Sequence, residues 1–253
     1  MMDEIKVIKV GGQVVENPDT LAELLDRFSA LEGKKVLVHG GGKSATKIAA
    51  QLGIETKMVD GRRVTDAEML NVVTMVYGGL VNKNIVAKLQ LRGINALGLT
   101  GADMNVIKSH KRTGTAIDYG FVGDVDETDG KMLSTLIEAG VVPIMAPLTH
   151  DGKGQLLNTN ADTIASETAK ALTPYYNVTL IYCFEKKGVL SNPDDDDSVI
   201  SQITRTDFER MVEDGSVNSG MIPKLQNSFR SLDAGVKEVV ICDYHFEGGT
   251  SIK

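Results

Sequence analysis

Residues 35–42 read Lys-Val-Leu-Val-His-Gly-Gly-Gly, and an amphipathic stretch opens at Lys43 directly after them. A buried-looking strand that turns on three glycines straight into a helix is the start of a βα unit, so the chain belongs with the parallel-sheet folds. The same turn is an anion site. Glycines let the backbone approach closely, and the free N–H groups and helix dipole face the charge. Gly40, Gly42 and Ala45 also satisfy G-x-G-x-x-G/A, with Asp60 placed to meet a ribose, so a Rossmann-type nicotinamide dehydrogenase is a competing reading. Gly42-Lys43-Ser44 imitates the end of a Walker A loop, but the first glycine of that motif would fall at Leu37, and the reading fails.

Short Val/Ile-rich runs at 5–10, 35–39, 96–100, 141–146, 178–183 and 238–242 are strand candidates. Longer amphipathic stretches lie between them, at about 19–31, 43–51, 66–92, 131–139, 161–172, 206–214 and 223–234. Thr65 followed by Glu68 reads as a capping box, and Gly93 and Gly235 sit where helices stop. This alternation predicts an α/β fold, a three-layer αβα sandwich with an open, mainly parallel central sheet. Residues 105–129 break the pattern and read as a hairpin insertion. The acidic run at 193–197 reads as a solvated loop tip, because its carboxylates lack the spacing of a cation cage.

Composition narrows the function classes. The 253 residues are 42% apolar and carry a formal charge of −7, too apolar for disorder and too acidic for a basic nucleic-acid surface. No apolar run approaches membrane-spanning length, and the start lacks a signal peptide's apolar block. Cys183 and Cys242 are too few for a disulfide framework or thiolate metal site, and the histidines show no metal-ligand spacing. The expectation is a cytoplasmic protein with a small-molecule ligand, no nucleic-acid or membrane partner and no protein-held metal.

A second loop, Lys9-Val10-Gly11-Gly12, follows the first strand. Taken alone, Lys9 is an edge lysine beside an ordinary turn. Two glycine loops at the carboxyl ends of neighbouring strands converge where ligands bind in open parallel sheets. Together with one lysine they suit a transferring phosphoryl group better than a nicotinamide. Three further motifs open helices: Gly61-Arg62-Arg63-Val64-Thr65-Asp66, Asn158-Thr159-Asn160-Ala161-Asp162 and Ser219-Gly220-Met221-Ile222-Pro223-Lys224. This ordered set, from about Ile5 to Thr250, resembles the amino-acid kinase family, in particular its members that phosphorylate the side-chain carboxylate of an N-acyl-L-glutamate in arginine biosynthesis.

The resemblance implies roles residue by residue. Lys9 and Lys224 would flank the transferring phosphoryl group and Asp162 would hold both lysines. Gly11, Gly12, Gly41 and Gly42 would cradle phosphate oxygens, with Gly41 and Gly42 also near the reacting end of the acyl-glutamate. Arg63 and Asn158 would hold its α-carboxylate. Glu185, Gly188, Gly220 and Met221 would fall in the ATP site, with Mg²⁺ accompanying ATP. It also implies two lobes, about 1–172 for the acyl-glutamate and 173–253 for the nucleotide. Without a long helix before Ile5, the chain resembles the dimeric, arginine-insensitive members. Read alone, Asp162 is also a carboxylate at a helix N-terminus and Arg63 a surface arginine.

Three departures stand out. Arg62 replaces the family's usual apolar residue beside Arg63, where an extra guanidinium could meet a second carboxylate, as on a succinyl group. Cys183-Phe184-Glu185-Lys186-Lys187-Gly188 replaces a Thr/Ser-Asp-Val-x-Gly pattern. The chain also lacks the usual final helix before its Gly-Thr ending. A non-catalytic sensor of nucleotide or amino acid would follow if the altered segment had abolished ATP binding.

Overall fold

Along strand β1 (Glu4–Val10), Ile5 and Val7 enter one apolar cluster, while Ile8 and Val10 enter another. Two apolar faces at period two mark a strand covered by helices on both sides. A computed structural model describes the chain apart from Met1, Asp60, Pro193, residues 217–220 and the side chain of Pro223.

Among the described residues, the strands after β1 are β2 (Lys34–His39), β3 (Met58–Val59), β4 (Arg62–Arg63), β5 (Ala96–Leu99), β6 (Ile107–Lys111), β7 (Gly123–Thr128), β8 (Val142–Met145), β9 (Leu148–His150), β10 (Leu156–Asn158), β11 (Asn177–Phe184), β12 (Gln202–Ile203), β13 (Glu238–Asp243) and β14 (Thr250–Ile252). The helices are α1 (Gly12–Glu16), α2 (Pro18–Ala30), α3 (Gly42–Gln51), α4 (Ala67–Val73), α5 (Asn82–Gln90), α6 (Gly130–Glu138), α7 (Ala161–Leu172), α8 (Arg205–Glu213) and α9 (Ile222–Asp233).

The main sheet has the order β12-β14-β13-β11-β1-β2-β8-β5. Its pairs from β13 to β5 are parallel, and β14 turns back antiparallel on β13. Residues of α6, α7, α8 and α9 close one face; α2 to α5 close the other. The three-layer expectation therefore holds, and β1 lies inside the sheet with its C-terminal end open to both glycine loops.

The insertion is a hairpin as expected, β6 against β7, but it joins β9 and β10 in a separate four-stranded sheet. Two local expectations change. The long helix expected over 66–92 is α4 and α5 joined by a π-helical stretch, Thr74–Val81, which contains Gly78 and Gly79. The N-cap of α4 is Asp66, whose side chain accepts from Met69 N–H, rather than Thr65, whose buried hydroxyl donates to the Arg63 carbonyl. After β13 the chain turns through Gly249 into β14. A Cβ on Gly249 would sit 2.5 Å from the Ile241 carbonyl oxygen, so only glycine fits that turn.

Candidate active site

Lys9 follows the alternation of β1, so its side chain lies on the face of Ile5 and Val7, which α7 covers. Asn160 caps α7 by accepting from the N–H groups of Asp162 and Thr163, which sets Asp162 in the first turn. Lys9 Nζ and Asp162 Oδ1 meet at 2.7 Å, with side chains only 9% and 20% exposed. The contact is an ion pair without hydrogen-bond alignment, and Asp162 Oδ1 has no aligned donor.

Lys224 enters from the first turn of α9. Its ammonium lies 3.7 Å from the centroid of the Phe184 ring, and that of Lys9 lies 4.8 Å from the same centroid. Burial holds the Lys224 pKa below the usual lysine value; Asp162 and Glu185 oppose that shift, and Lys9 adds to it. A helix N-terminus is an unfavourable place for a buried cation, so local stability does not account for Lys224.

The two glycine loops touch. A Cβ on Gly12 would lie 3.9 Å from the Gly41 nitrogen and 4.0 Å from that of Gly42. Gly41 has φ +157°, and a Cβ there would meet the Tyr77 ring at 3.1 Å. Among the described residues, the N–H groups of Gly12, Gly41 and Gly42 make no hydrogen bond. The Gly11 N–H differs, since it donates to the Cys183 carbonyl at 3.0 Å and extends the ladder. Gly11 thus shapes the loop, while Gly12, Gly41 and Gly42 supply open donors. His39 orients the second loop: its Nδ1–H donates to the Gly40 carbonyl at 2.7 Å and its Nε2 accepts from Asn82. Full burial lowers the His39 pKa to about 4, so the ring is neutral.

Beside these loops is a cavity of about 200 Å³ lined by Gly41, Gly42, Arg62, Arg63, Arg112 and Asn158. Arg63 is buried rather than a surface arginine. It donates to the Gly42 carbonyl at 2.8 Å and to Thr46 and Thr56. Asn158 is buried too and donates to Thr65 Oγ1 at 2.9 Å. The Arg62 guanidinium is exposed at the cavity and makes no hydrogen bond or ion pair with the described residues, though its charge reaches Asp124, which holds Arg112.

A second cavity, about 450 Å³, is lined by Phe184, Glu185, Gly188, Met221 and Lys224 among others. Gly188 is required there: a Cβ would come within 2.8 Å of Thr250 Oγ1 and Val199. Gly220 and Ser219 of the third motif lie outside the described residues.

The sequence profile of the amino acid kinase family matches residues 4–243. The chain belongs to the amino acid kinase family. It is 68% identical to the acetylglutamate kinase of Bacteroides thetaiotaomicron over 95% of this chain and 94% of that one. It is 66% identical to that of Bacteroides fragilis over 100% and 98%. A Streptococcus mutans crystal structure matches with a TM-score of 0.82 at 29% identity over 98% of both chains. An N-acetylglutamate synthase from Neisseria gonorrhoeae shares the fold, with TM-score 0.82 at 22% identity over 98% of this chain and 59% of that one.

Membership in this kinase family leaves the dehydrogenase reading unsupported; the Asp60 it relied on lies outside the described residues. Within the family fold, the acidic loop pairs with the altered segment, Lys186 with Asp196 and Lys187 with Asp197, at 2.5 and 2.8 Å. Pro193 of that run lies outside the described residues. Among the described residues no cluster of three or more His, Cys, Asp or Glu could hold a metal, and no helix is long and apolar enough to cross a membrane. Sequence reasoning missed Asn82, Tyr77 and the contacts of Phe184. Tyr77 and Phe184 are ordinary core residue types and Asn82 is a polar residue inside a helix, and only tertiary packing brings them to the site.

Proposed function

We propose that the protein transfers the γ-phosphoryl group of ATP to the side-chain carboxylate of N-acetyl-L-glutamate, the step that serves arginine biosynthesis. The observation that carries this reading is the convergence of Lys9, Asp162 and Lys224 beside open glycine N–H groups, with one cavity on each side. The 66–68% identity to acetylglutamate kinases supports the substrate.

The carboxylate is already a nucleophile at neutral pH. One of its oxygens forms the new bond to phosphorus, the bond to the β-phosphate oxygen breaks, and ADP leaves with that electron pair. No proton must be removed, so the barrier comes from bringing two anions together. Positioning and charge neutralisation lower it. Arg63 and Asn158 hold the α-carboxylate in the smaller cavity. Gly12, Gly41 and Gly42 donate to phosphoryl oxygens. Lys9 and Lys224 neutralise charge on opposite sides of the transferring group, and Asp162 holds Lys9 by its ion pair and favours the charged form of Lys224. The open N–H groups and the cavity lined by Glu185, Gly188, Met221 and Lys224 suit a nucleotide triphosphate. Mg²⁺, bound to its phosphates, would neutralise further charge.

We further infer two lobes, about 1–172 for the acyl-glutamate and 173–253 for the nucleotide, in a cytoplasmic homodimer. β5 is the last strand of the sheet among the described residues; its outward carbonyls at Ala96 and Gly98 accept from Gln90 and Lys83, and exposed Leu97 offers an apolar contact for self-association. Light scattering on the purified protein reads the mass directly.

One observation favours a second reading of the acyl end. Arg62 presents to the substrate cavity a guanidinium with no ion-pair partner among the described residues, chemistry suited to a carboxylate on the acyl group. Turnover of N-succinyl- against N-acetyl-L-glutamate by wild type and Arg62→Leu tests it; a strong acetyl preference in both sinks the succinyl reading. The reaction itself is tested by trapping acyl phosphate with hydroxylamine. Hydroxamate that requires ATP, Mg²⁺ and the acyl-glutamate supports transfer, and nucleotide binding without hydroxamate would make the protein a sensor.

A further inference from the structure

The reaction scheme gives Phe184 no task, yet its ring lies close to both lysine ammoniums, which Asp162 also influences. Phe184 belongs to β11, two residues beyond Tyr182, the register partner of Lys9, so strand alternation places its ring on the lysine face. The Tyr182 and Phe184 rings stack at 6.3 Å with 14° between their planes. A Cβ on Gly11 would lie 3.7 Å from the Phe184 ring, so the glycine loop bounds it as well. The ring is fixed by its surroundings rather than lying free in the nucleotide cavity that it lines.

Two lysines at one site repel, and Asp162 is ion-paired to only one of them. Glu185 also attracts Lys224, but like any carboxylate it repels the incoming polyanion. An aromatic face attracts cations through its quadrupole and carries no net charge. We propose that Phe184 is a positioning residue that draws Lys9 and Lys224 towards one aromatic ring and holds them ready for the phosphoryl group. This rests on the phosphoryl-transfer reading above. It gives the departure at 183–188 a function: the altered segment supplies the ring.

The test compares wild type with Phe184→Leu, Phe184→Tyr, and full-length protein carrying mono-, di- and trifluorinated phenylalanine at 184. Fluorination empties the ring face of negative potential while nearly preserving its shape. Expected is a fall in kcat of about 5- to 30-fold for Phe184→Leu, with KM for both substrates within about threefold. Phe184→Tyr should retain most of the activity, and kcat should decline stepwise with fluorine number.

The second readout does not depend on turnover. NMR titration of labelled Lys224 should show its ammonium deprotonating at lower pH in Phe184→Leu and in the fluorinated series, because the ring favours the charged form. The charged groups that act on Lys224 in the fold are Asp162, Lys9 and Glu185, all unchanged in these variants. Should Phe184→Leu fail to fold, the near-isosteric fluorinated series decides. Equal rates and equal Lys224 titration across that series would overturn the proposal. A wild type that makes no acyl phosphate would overturn the reaction instead, and the titration would still decide the role of Phe184.

Discussion

Lys9 on β1 and Asp162 in the first turn of α7 form a 2.7 Å ion pair that is largely closed to solvent. Removing one partner strands the other charge, which costs about 3–5 kcal/mol for a buried pair. Asp162→Ala should therefore lower unfolding free energy by up to about that amount, and Lys9→Met/Asp162→Ala should lose less than the two single losses combined. Urea unfolding of the four proteins measures the coupling; strict additivity would mean the pair does not interact.

Gly41 leaves little room for a side chain. Its φ of +157° and the 3.1 Å approach of a Cβ to Tyr77 predict a cost of about 1–3 kcal/mol for Gly41→Ala. Because the strained unit carries an N–H donor, kcat should fall along with melting temperature. Activity measured well below the melting transition separates the two effects, and full activity there would remove Gly41 from the donor set.

Arg63 is fixed by Gly42, Thr46 and Thr56 before any substrate arrives. Arg63→Lys keeps a positive charge but loses the planar fork. Hydrogen bonds to charged groups are worth about 1.5–3 kcal/mol, so KM for N-acetyl-L-glutamate should rise about 10- to 100-fold, with a much smaller change in KM for ATP. Steady-state kinetics with each substrate varied in turn checks this selectivity.

His39 predicts an acid limit to stability. Its folded pKa of about 4 lies below the ordinary 6.5, so the unfolded chain binds the extra proton between those values. Stability from this group is complete above about pH 6.5 and is lost as pH falls towards about 4. The full difference is about 3 kcal/mol. Denaturant unfolding at pH 4.5 and 7 should show that slope in wild type and a flatter one in His39→Gln.

Much of this architecture was legible because the relevant signals are local. The six apolar runs of the sequence are β1, β2, β5, β8, β11 and β13, six neighbours in the sheet. What escaped was short or context-dependent. β12 and β14 have two and three residues, and β9 and β10 form only by pairing with each other and with the hairpin. The π-helical stretch escaped because it is apolar nearly throughout and carries no periodicity that would separate it from the α-helices on either side. In the site, Lys9, Arg63, Asn158 and Asp162 lie beside glycine or cap motifs that mark them. Phe184 and Asn82 carry no such mark, and the Gly78-Gly79 pair beside Tyr77 lies inside a stretch that reads as helix, so nothing local points these three at the site. Nor could the sequence show that the parallel ladder extends one residue further and takes the Gly11 N–H.

The central claim is that Lys224 acts on phosphoryl transfer rather than on binding alone. Single-turnover quenched-flow with wild type and Lys224→Ala, both saturated with ATP and N-acetyl-L-glutamate, measures that step directly. The transfer rate should be lower by about 10²–10³-fold in the variant, the size of one lost electrostatic donor, with ATP affinity changed far less. Equal transfer rates in the two proteins would contradict that claim.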